Sequence, residues 1–376
     1  MNDADPIKIV EAKTSAQKKQ FIHFPYRLYN GEKNWVPPLL ITQKKLFTEK
    51  NIFWRKNPHC FFLALKNEKC VGRVAAFING QHNNWFKVND GFFGFLEAED
   101  DQNIFDKLLV AAENFLNQFS CTQIIGPMNP DIHNELGVLT DGFDSPPYFM
   151  LTHNHRYYEG RIKTCGYSKL KDFYSYLLPI SGYVPTPKME RVSAALRKRN
   201  NITIRNPEIK NFKQELAVLY EIYNDAFTGH WGFSPINKDE FMELAKDLRS
   251  IVDTRIILIA EIKNEPVAFL LCLPNLNELL VKMRSGKLFP FNFIKILTGK
   301  KKIKSARVIT VAVKKAYQHL GIGSLLYPEI MKRGVQCNYT TSELSWVAED
   351  NDVMKQIAAS LCADRYKTYR LYVRQL

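Results

Sequence analysis

The segment Arg307-Val308-Ile309-Thr310-Val311-Ala312-Val313-Lys314-Lys315-Ala316-Tyr317-Gln318-His319-Leu320-Gly321-Ile322-Gly323-Ser324-Leu325-Leu326 changes its character twice along its length. It begins as a β-branched run that alternates like a strand and passes through a polar loop that contains Gly321 and Gly323. It then resumes as an apolar segment with helical spacing through Ile330. The pattern predicts a strand, a loop and a helix in succession.

A loop of this kind is suited to bind an anion. Glycine lets the backbone approach a ligand closely, and the N–H groups and positive dipole end of the following helix favour a phosphate group. The loop therefore predicts a pyrophosphate site. On Gly321 and Gly323 alone, a turn that uses glycine for steric reasons and binds nothing would be the commoner case, so the flanking residues decide.

The flanking residues form the pattern Q-x-x-G-x-G from Gln318 to Gly323, after a strand with V-x-V at Val311 and Val313. This combination resembles the acetyl-CoA loop of the GCN5-related N-acetyltransferases (GNAT). The resemblance implies that the loop amides hold the pyrophosphate of coenzyme A and that the strand offers backbone groups to the pantetheine arm. The implied acyl-CoA site comprises Val311, Val313, Gln318, His319, Leu320, Gly321, Ile322, Gly323, Ser324 and Asn351.

A second match to the family lies downstream. Residues 342–347 have the pattern of a strand, 349–351 that of a loop, and 352–361 that of a helix. The family places an Asn in this loop, and Asn351 fits. Many members carry a Tyr in the helix that follows, as the acid for the leaving thiolate, whereas Ala358 stands here. The resemblance therefore implies the fold and acyl-CoA binding but names no acid.

Composition indicates a globular protein of two domains, because 376 residues exceed one typical domain. The hydrophobic fraction is 45%, and the seven cysteines show neither C-x-x-C pairs nor metal-ligand spacing, which is typical of a reducing cytoplasm. Residues 1–6 lack the features of a signal peptide, and no apolar stretch approaches the roughly 20 residues that span a bilayer. We expect a cytoplasmic protein, either soluble or peripheral to the inner face of the membrane.

The formal net charge of +14 suggests a polyanionic partner. Nucleic acid, an anionic membrane surface and the phosphates of a cofactor are the candidates, and a generally basic, solvated surface is the plain alternative. No helix-turn-helix or RNA-binding signature accompanies the basic residues Arg197, Lys198 and Arg199. No specific nucleic-acid partner is predicted.

The first half repeats the order of elements in the second half. Asn67-Glu68 and Asn264-Glu265 each lie between two β-rich runs and predict hairpins, which indicates a tandem repeat. Where the first half would place its phosphate loop, residues 97–101 are acidic and would repel a diphosphate. We predict a mixed α/β fold of two GNAT-like domains: a degenerate domain over 1–180, a linker and helix over 181–200, and the acyl-CoA domain over 201–376.

The first half also contains a long loop rich in Asn, Asp, His and Tyr among Gly and Pro, at 126–158, and the second an aromatic loop at 228–235. Loops of this kind often carry function, although Asn and Asp in them also cap turns. The candidate acceptor-binding residues are Asn129, Asn134, Tyr148, Asn154 and Trp231. The histidines and acids of the first loop, His133, Glu135, His153 and His155, lack the spacing of a metal site, so no metal is predicted.

Residues 282–304 form an insertion before the acyl-CoA strand, in which apolar residues alternate with lysines and no acid occurs. The interface of an anionic membrane would suit such a segment. A dimer contact and a packed flap with a solvated lysine turn are the alternatives.

Together these features predict an N-acyltransferase that moves an acyl group from acetyl-CoA or a longer acyl-CoA to a primary amine. The reaction needs a base for the ammonium proton and a donor for the oxyanion. His230, Asp144 and Glu349 are the candidate bases, and backbone N–H groups near Val311 and Val313 the candidate oxyanion donors. The acceptor is a small amine, a peptide or a lipid amine, and the apolar, basic insertion at 282–304 favours a lipid such as a sphingoid base. The alternative is a catalytically silent protein that binds acyl-CoA or contacts nucleic acid.

Overall fold

The computed structural model describes residues 7–48, 50–288, 290 and 292–376. The strands of this part of the chain are β1 (Lys8–Glu11), β2 (His59–Lys66), β3 (Lys69–Ile78), β4 (Asp90–Ala98), β5 (Gln123–Gly126), β6 (Met128–Asn129), β7 (Glu135–Leu136), β8 (Val138–Asp141), β9 (Ser168–Pro179), β10 (Ile202–Arg205), β11 (Ile257–Ile262), β12 (Glu265–Pro274), β13 (Ser305–Val313), β14 (Thr341–Ala348) and β15 (Asp364–Gln375).

The α-helices are α1 (Ser15–Leu28), α2 (Leu40–Leu46), α3 (Ile52–Lys56), α4 (Gly80–Phe86), α5 (Gln102–Asn117), α6 (Tyr158–Thr164), α7 (Pro187–Asn200), α8 (Phe212–Phe227), α9 (Lys238–Leu248), α10 (Asn277–Leu280), α11 (Asn292–Gly299), α12 (Gly323–Gln336) and α13 (Asp352–Ser360). Within the described ranges, no helix combines the length and apolar character needed to cross a membrane.

The chain divides into two compact units. Unit 1 contains the residues up to Phe173 together with Asn277–Leu297 and Lys367–Leu376, and unit 2 contains Tyr174–Leu276 and Thr298–Tyr366. The boundaries of the compact units thus differ from those of the predicted domains, 1–180, 181–200 and 201–376, and the predicted domains remain a prediction. The reason is that two segments from the second half of the sequence pack with the first half.

Unit 1 is built on a mixed sheet with the strand order β1-β2-β3-β4-β5-β15. Its pairs are antiparallel except for β4 with β5, which run parallel. The predicted hairpin is confirmed, since Asn67 and Glu68 both have positive φ (49° and 58°), as a two-residue turn of type I′ requires. Helix α5 packs its apolar face, including Ile104, Phe105 and Leu108, into the core of this unit.

Unit 2 repeats the same plan with the strand order β14-β13-β12-β11-β10, in which only β13 and β14 among these neighbours run parallel. Its hairpin turn lies at Lys263 and Asn264, with φ of 50° and 67°, and Glu265 already begins β12. The predicted turn at Asn264-Glu265 was therefore wrong by one residue. The two residues with positive φ form the turn, and the sequence alone did not show which pair of neighbouring residues would adopt positive φ.

Helices cover both faces of the unit 2 sheet. Helix α8 packs Leu219, Ile222 and Ala226 against Ile259, Phe269 and Ala312. Helix α12 lies over the opposite face, where Tyr327, Ile330 and Met331 line a small apolar cavity together with Ala306 and Val308. The predicted mixed α/β architecture with two repeated units is confirmed.

Candidate functional site

The site begins where two parallel strands of unit 2 separate. The ladder between β13 and β14 runs from Ser305 opposite Thr341 to Val308 opposite Leu344. Both strands continue, β13 to Val313 and β14 to Ala348, but the described residues show no further pairing between them. The edge of β13 beyond Val308 therefore offers N–H and C=O groups to an extended ligand that lies between the strands.

A β-bulge lies at the same point. On the other side of β13, Cys272 of β12 pairs with Val308 and Leu271 with Thr310, so Ile309 has no partner residue of its own. An extra residue reverses the alternation of side chains along the rest of a strand. Accordingly Val308 faces the cavity under α12, whereas Ala312 packs with α8. The strand changes from buried to half-buried at Ile309, where the ladder with β14 ends.

The predicted phosphate loop follows. Gly321 has φ of +68°, a conformation that glycine adopts without strain, and α12 begins at Gly323. A Cβ atom on Gly323 would meet nothing within 4 Å, and one on Gly321 would meet only the Ser324 Oγ, at 3.6 Å. In the described structure no side chain caps the first turn of α12. The N–H groups of Ser324 and Leu325 donate to the carbonyls of Gly321 and Ile322 within the turn, and the open space beside both glycines leaves room for a pyrophosphate at this positive end of the helix.

The other residues of the loop divide into supports and exposed groups. Gln318 donates from Nε2 to the carbonyl of Val313 at 3.1 Å and so ties the loop back to β13. Ile322 is fully buried and anchors the loop, whereas His319 and Ser324 are exposed. Ser324 Oγ donates to the carbonyl of Gly321 at 2.6 Å. The structure thus fits an anion at the exposed side of the loop, with Gln318 and Ile322 as its supports.

Asn351 and Ala358 belong to the second motif. Asn351 is the N-cap of α13, and its Oδ1 accepts a hydrogen bond from the Met354 N–H at 3.1 Å. Ala358 is completely buried, and its methyl side chain cannot act as an acid. Tyr327 of α12 contacts the same helix through the Met354 Sδ at 3.3 Å, but burial raises the pKa of its hydroxyl. Tyr327 is consequently a weak proton donor.

His230 lies in the aromatic loop after α8, and its ring centroid is 5.4 Å from that of Phe227. Partial desolvation and the positive charge of Lys315 lower its pKa, and the charge of Asp350 opposes this shift. The N–H of Lys315, at the start of the turn that leads into the phosphate loop, donates to Asp225 of α8 at 2.7 Å, so the end of α8 lies near that turn. The lowered pKa favours the neutral imidazole of His230. Trp231 beside it is 37% exposed.

The two carboxylate candidates have different surroundings. Glu349 is half-buried, and its carbonyl accepts a hydrogen bond from Lys355 Nζ at 2.8 Å. Asp144 belongs to unit 1, where its side chain is 93% exposed and pairs with Arg156 at 3.0 Å. The geometry therefore favours His230 over Asp144 as a base.

The remaining acceptor candidates belong to unit 1. Asn129 Oδ1 accepts from the Phe95 N–H at 2.6 Å, and Asn134 Nδ2 donates to Asp131 at 2.7 Å. Asn154 is buried and bonds both the N–H and the carbonyl of Leu139, so its amide holds strand β8. Tyr148 is buried as well.

Unit 1 has an equivalent opening that its own chain fills. The ladder between β4 and β5 ends at Phe92 opposite Ile125 although β4 continues to Ala98. Strand β6 enters this gap, so that a Cβ atom on Gly94 would lie 1.7 Å from the carbonyl oxygen of Met128. At the end of β4, the side chain of Asp101 caps α5 by accepting from the Asn103 N–H at 2.9 Å. A filled gap and an acid-capped helix are thus two physical features that favour the prediction of a domain without its own cofactor site.

A buried polar cluster in unit 2 escaped the sequence analysis. Arg307 on β13 and Glu343 on β14 are register neighbours, with their side chains almost fully buried and 3.8 Å apart. Arg307 Nε donates to Ser345 Oγ at 2.8 Å, and the hydroxyl of Tyr366 donates to Glu343. The signal in the sequence was one charged residue in each of two predicted strands, but only the structure shows that the two residues are register neighbours. This cluster lies directly below the point where the strands separate.

Comparison with known proteins agrees with this geometry. Residues 216–359 match the profile of the acetyltransferase (GNAT) family. The chain is 34% identical over 378 residues to the "Bacterial ceramide synthase" of Caulobacter vibrioides (strain NA1000 / CB15N), covering 98% of both chains. It is 33% identical over 369 residues to "Protein YghO" of Escherichia coli (strain K12), covering 95% of this chain and 93% of that one. The chain belongs to the GNAT family.

Solved structures show that the tandem fold occurs in other GNAT proteins. The tandem GNAT protein of the clavulanic acid biosynthesis pathway matches over 98% of both chains, with a TM-score of 0.56 at 10% identity. A GCN5-related N-acetyltransferase from Anabaena variabilis gives a TM-score of 0.56 at 9% identity, over 98% of this chain and 72% of that one. The family predicted from the motif between Gln318 and Gly323 is confirmed. This GNAT protein is an N-acyltransferase that uses an acyl-CoA donor.

Proposed function

We propose that this enzyme transfers a long-chain acyl group from acyl-CoA to the primary amine of a lipid, in the manner of a ceramide synthase acting on a sphingoid-type base. The observation that carries the proposal is the similarity to the Caulobacter protein of that name, which covers 98% of both chains. The similarity therefore extends through unit 1 and the insertion at 282–304, well beyond the 216–359 core that a GNAT domain needs.

The proposed acyl-CoA site is the opening between β13 and β14. The pyrophosphate would lie against the first turn of α12 at Gly321, Gly323 and Ser324, and the pantetheine arm along Val311 and Val313. The open Cβ positions of the glycines and the free edge of β13 support this placement. An acetyl group and a longer acyl chain use the same phosphate loop, so the loop leaves the chain length open.

The proposed reaction is direct attack by a neutral amine on the thioester. A C–N bond forms, the C–S bond breaks, and the ammonium proton passes to a base. His230 is the proposed base because its lowered pKa keeps it able to accept a proton at neutral pH. A thiol has a pKa of about 8.5, so the leaving thiolate departs without a strong acid. Ala358 at the family's tyrosine position is therefore compatible with turnover.

The polar loop at 126–158 is proposed to bind the acceptor, and the insertion at 282–304 is the proposed contact with the membrane that contains the lipid. Asn129, Asn134, Tyr148 and Trp231 remain proposed acceptor-binding residues. A long-chain amine partitions into a bilayer and has to be withdrawn from it, whereas a soluble amine does not.

The test is an acylation assay with the full-length protein. Acetyl-CoA and palmitoyl-CoA are each combined with a long-chain 2-amino-1,3-diol, with 2-amino-1,3-propanediol and with a lysine-containing peptide, and amide products are measured by mass spectrometry. The expected product is the N-palmitoyl amide of the long-chain base. Acylation of the short amine or the peptide, with none of the long-chain base, would refute the lipid acceptor while leaving the acyltransferase intact.

A further inference from the structure

Helix α11 has its apolar face toward solvent. Phe293, Ile294 and Leu297 are 42%, 57% and 53% exposed, whereas Ile296 is only 9% exposed. Residues three and four apart share one side of a helix, so these three exposed side chains lie together. An amphipathic helix of a globular protein normally buries such a face, and here the face is outward. Phe289 and Phe291, which the sequence analysis included in this segment, lie outside the described residues.

Hydrogen bonds fix the start of this helix to the preceding residues of the insertion, and the insertion to helix α2. Asn292 Nδ2 donates to the Lys287 carbonyl at 2.7 Å, and the Phe293 N–H donates to the Leu288 carbonyl at 2.8 Å. The adjacent carbonyl of Gly286 accepts from the N–H of Leu40, the first residue of α2, at 2.8 Å. Helix α2 therefore adjoins the start of α11.

Arg284 strengthens the attachment. Its guanidinium donates to the carbonyls of Glu32, Lys33 and Trp35 at 2.8 to 3.0 Å. Gly286 is packed so closely that a Cβ atom there would lie 2.4 Å from the ring of Tyr26. The part of the insertion that belongs to unit 1, up to Leu297, is consequently held in place, and the exposed face of α11 has a defined position on that unit.

Positive charge gathers at the same place. Desolvation lowers the pKa of His23, and the charges of Lys19, Lys44 and Lys287 lower it further, so three lysines from separate segments surround this side chain. Helices α1 and α2 and residues 282–304 contain no Asp or Glu. Lysines of α1, α2 and the insertion thus lie close together near the segment that leads into α11, and none of these segments contains a carboxylate.

We infer that this surface docks on an anionic lipid bilayer. The docking face consists of Lys19, Ile41, Lys44, Lys45, Lys287, Phe293, Ile294, Lys295 and Leu297, all of them exposed. Apolar side chains enter the boundary between headgroups and acyl chains, and lysines beside them attract anionic headgroups. A second copy of the chain is an unfavourable partner for this docking face, because two identical faces would bring like charges together. Nucleic acid would use the lysines but leave the aliphatic side chains in water.

The expected effects differ for the two components of the docking face. Removing one lysine from a bilayer contact weakens binding about fivefold, so the double variant Lys44→Gln/Lys295→Gln is expected to bind anionic vesicles about 25-fold more weakly. The double variant Ile294→Ser/Leu297→Ser removes apolar area without a change of charge and should weaken binding at every salt concentration. The effect of the lysine variant should shrink in high salt, which screens charge.

Matched controls remove the same groups elsewhere. Lys66→Gln/Lys69→Gln neutralises two lysines at the β2–β3 hairpin, and Val184→Ser/Val353→Ser removes two apolar side chains that are 77% and 66% exposed. Thermal unfolding followed by circular dichroism verifies that each variant folds. Both control variants should bind vesicles like the wild type.

The experiment is co-sedimentation of the full-length protein with vesicles of phosphatidylcholine alone or with added phosphatidylglycerol. Binding to the mixed vesicles, loss in both docking-face variants and retention in both controls is the expected result. Equal losses in the controls, no vesicle binding by the wild type, or tighter binding to an RNA oligonucleotide that depends on the lysines alone would each overturn the inference. The inference rests on the membrane contact of the proposed function, but the assay contains neither acyl-CoA nor amine, so a failure to bind vesicles would refute the docking face and leave the proposed acyl transfer standing.

Discussion

Replacing Gly323 with glutamate should abolish acyl-CoA binding while leaving the fold intact. Gly323 is the first residue of α12, and a Cβ atom there would meet nothing within 4 Å, so the new side chain has room. Its φ is also outside the positive range that only glycine adopts readily, unlike that of Gly321. The substitution therefore introduces charge without backbone strain.

The size of the effect follows from Coulomb's law. We take a separation of about 6 Å between the new carboxylate and each charge of the pyrophosphate, and an effective dielectric constant of about 40 for this partly solvated loop. Each pair then repels by about 1.4 kcal/mol, and two phosphate charges give about 3 kcal/mol. That corresponds to a rise in the dissociation constant of roughly a hundredfold. Salt of about 1 M should restore part of the affinity, because it shortens the screening length to about 3 Å.

Isothermal titration with palmitoyl-CoA measures this prediction. Gly323→Ala is the steric control and should bind like the wild type. Gly160→Glu is the charge control, because Gly160 is an exposed residue of helix α6 and also has nothing within 4 Å of a Cβ position. An unchanged dissociation constant for Gly323→Glu, or an equal loss for Gly160→Glu, would refute the assignment of the phosphate site to this loop.

Three further predictions concern stoichiometry, stability and pH. Titration should give one acyl-CoA per chain, because the chain itself fills the corresponding gap of unit 1 near Met128; a value close to two contradicts this explanation. Arg307→Met should lower the free energy of unfolding in urea by about 3 to 5 kcal/mol, since it leaves Glu343 buried without its cation, and the double variant with Glu343→Gln should lose less. A loss below about 1 kcal/mol for the single variant would argue against a buried ion pair. If His230 is the base, kcat/KM should fall on acidification with a midpoint below 6.5, because protonation removes the acceptor; the variant His230→Gln should lose this limb, and an unchanged limb would exclude the role.

Local patterns were predicted from the sequence with good accuracy. The strand, loop and helix around Gly321 and Gly323 are confirmed, because alternation, helical spacing and a glycine-dependent φ depend on residues within one or two turns of each other. The same holds for the hairpin at Asn67 and Glu68. The second hairpin shows the limit of such patterns, since the choice between Lys263 and Asn264 or the pair one residue later depends on the register of β11 with β12.

Non-local arrangements could not be predicted in this way. The sequence suggested that unit 1 lost its cofactor because residues 97–101 are acidic, but only the structure shows Met128 and Asn129 inside the gap beside Gly94. Similarly, no periodicity indicates that Asn277–Leu297 packs with the first half of the chain. These placements depend on contacts between residues far apart in sequence.

The sequence by itself determined the family, the strand, loop and helix around Gly321 and Gly323, and the order of elements in both halves, because each is encoded by neighbouring residues. The tertiary structure alone decided which strand edge stays open, which gap is filled, and that Arg307 meets Glu343 below the opening. The physical reason is that pairing and packing across long separations are chosen by the combined burial and hydrogen bonding of the whole unit, which no short stretch of sequence contains.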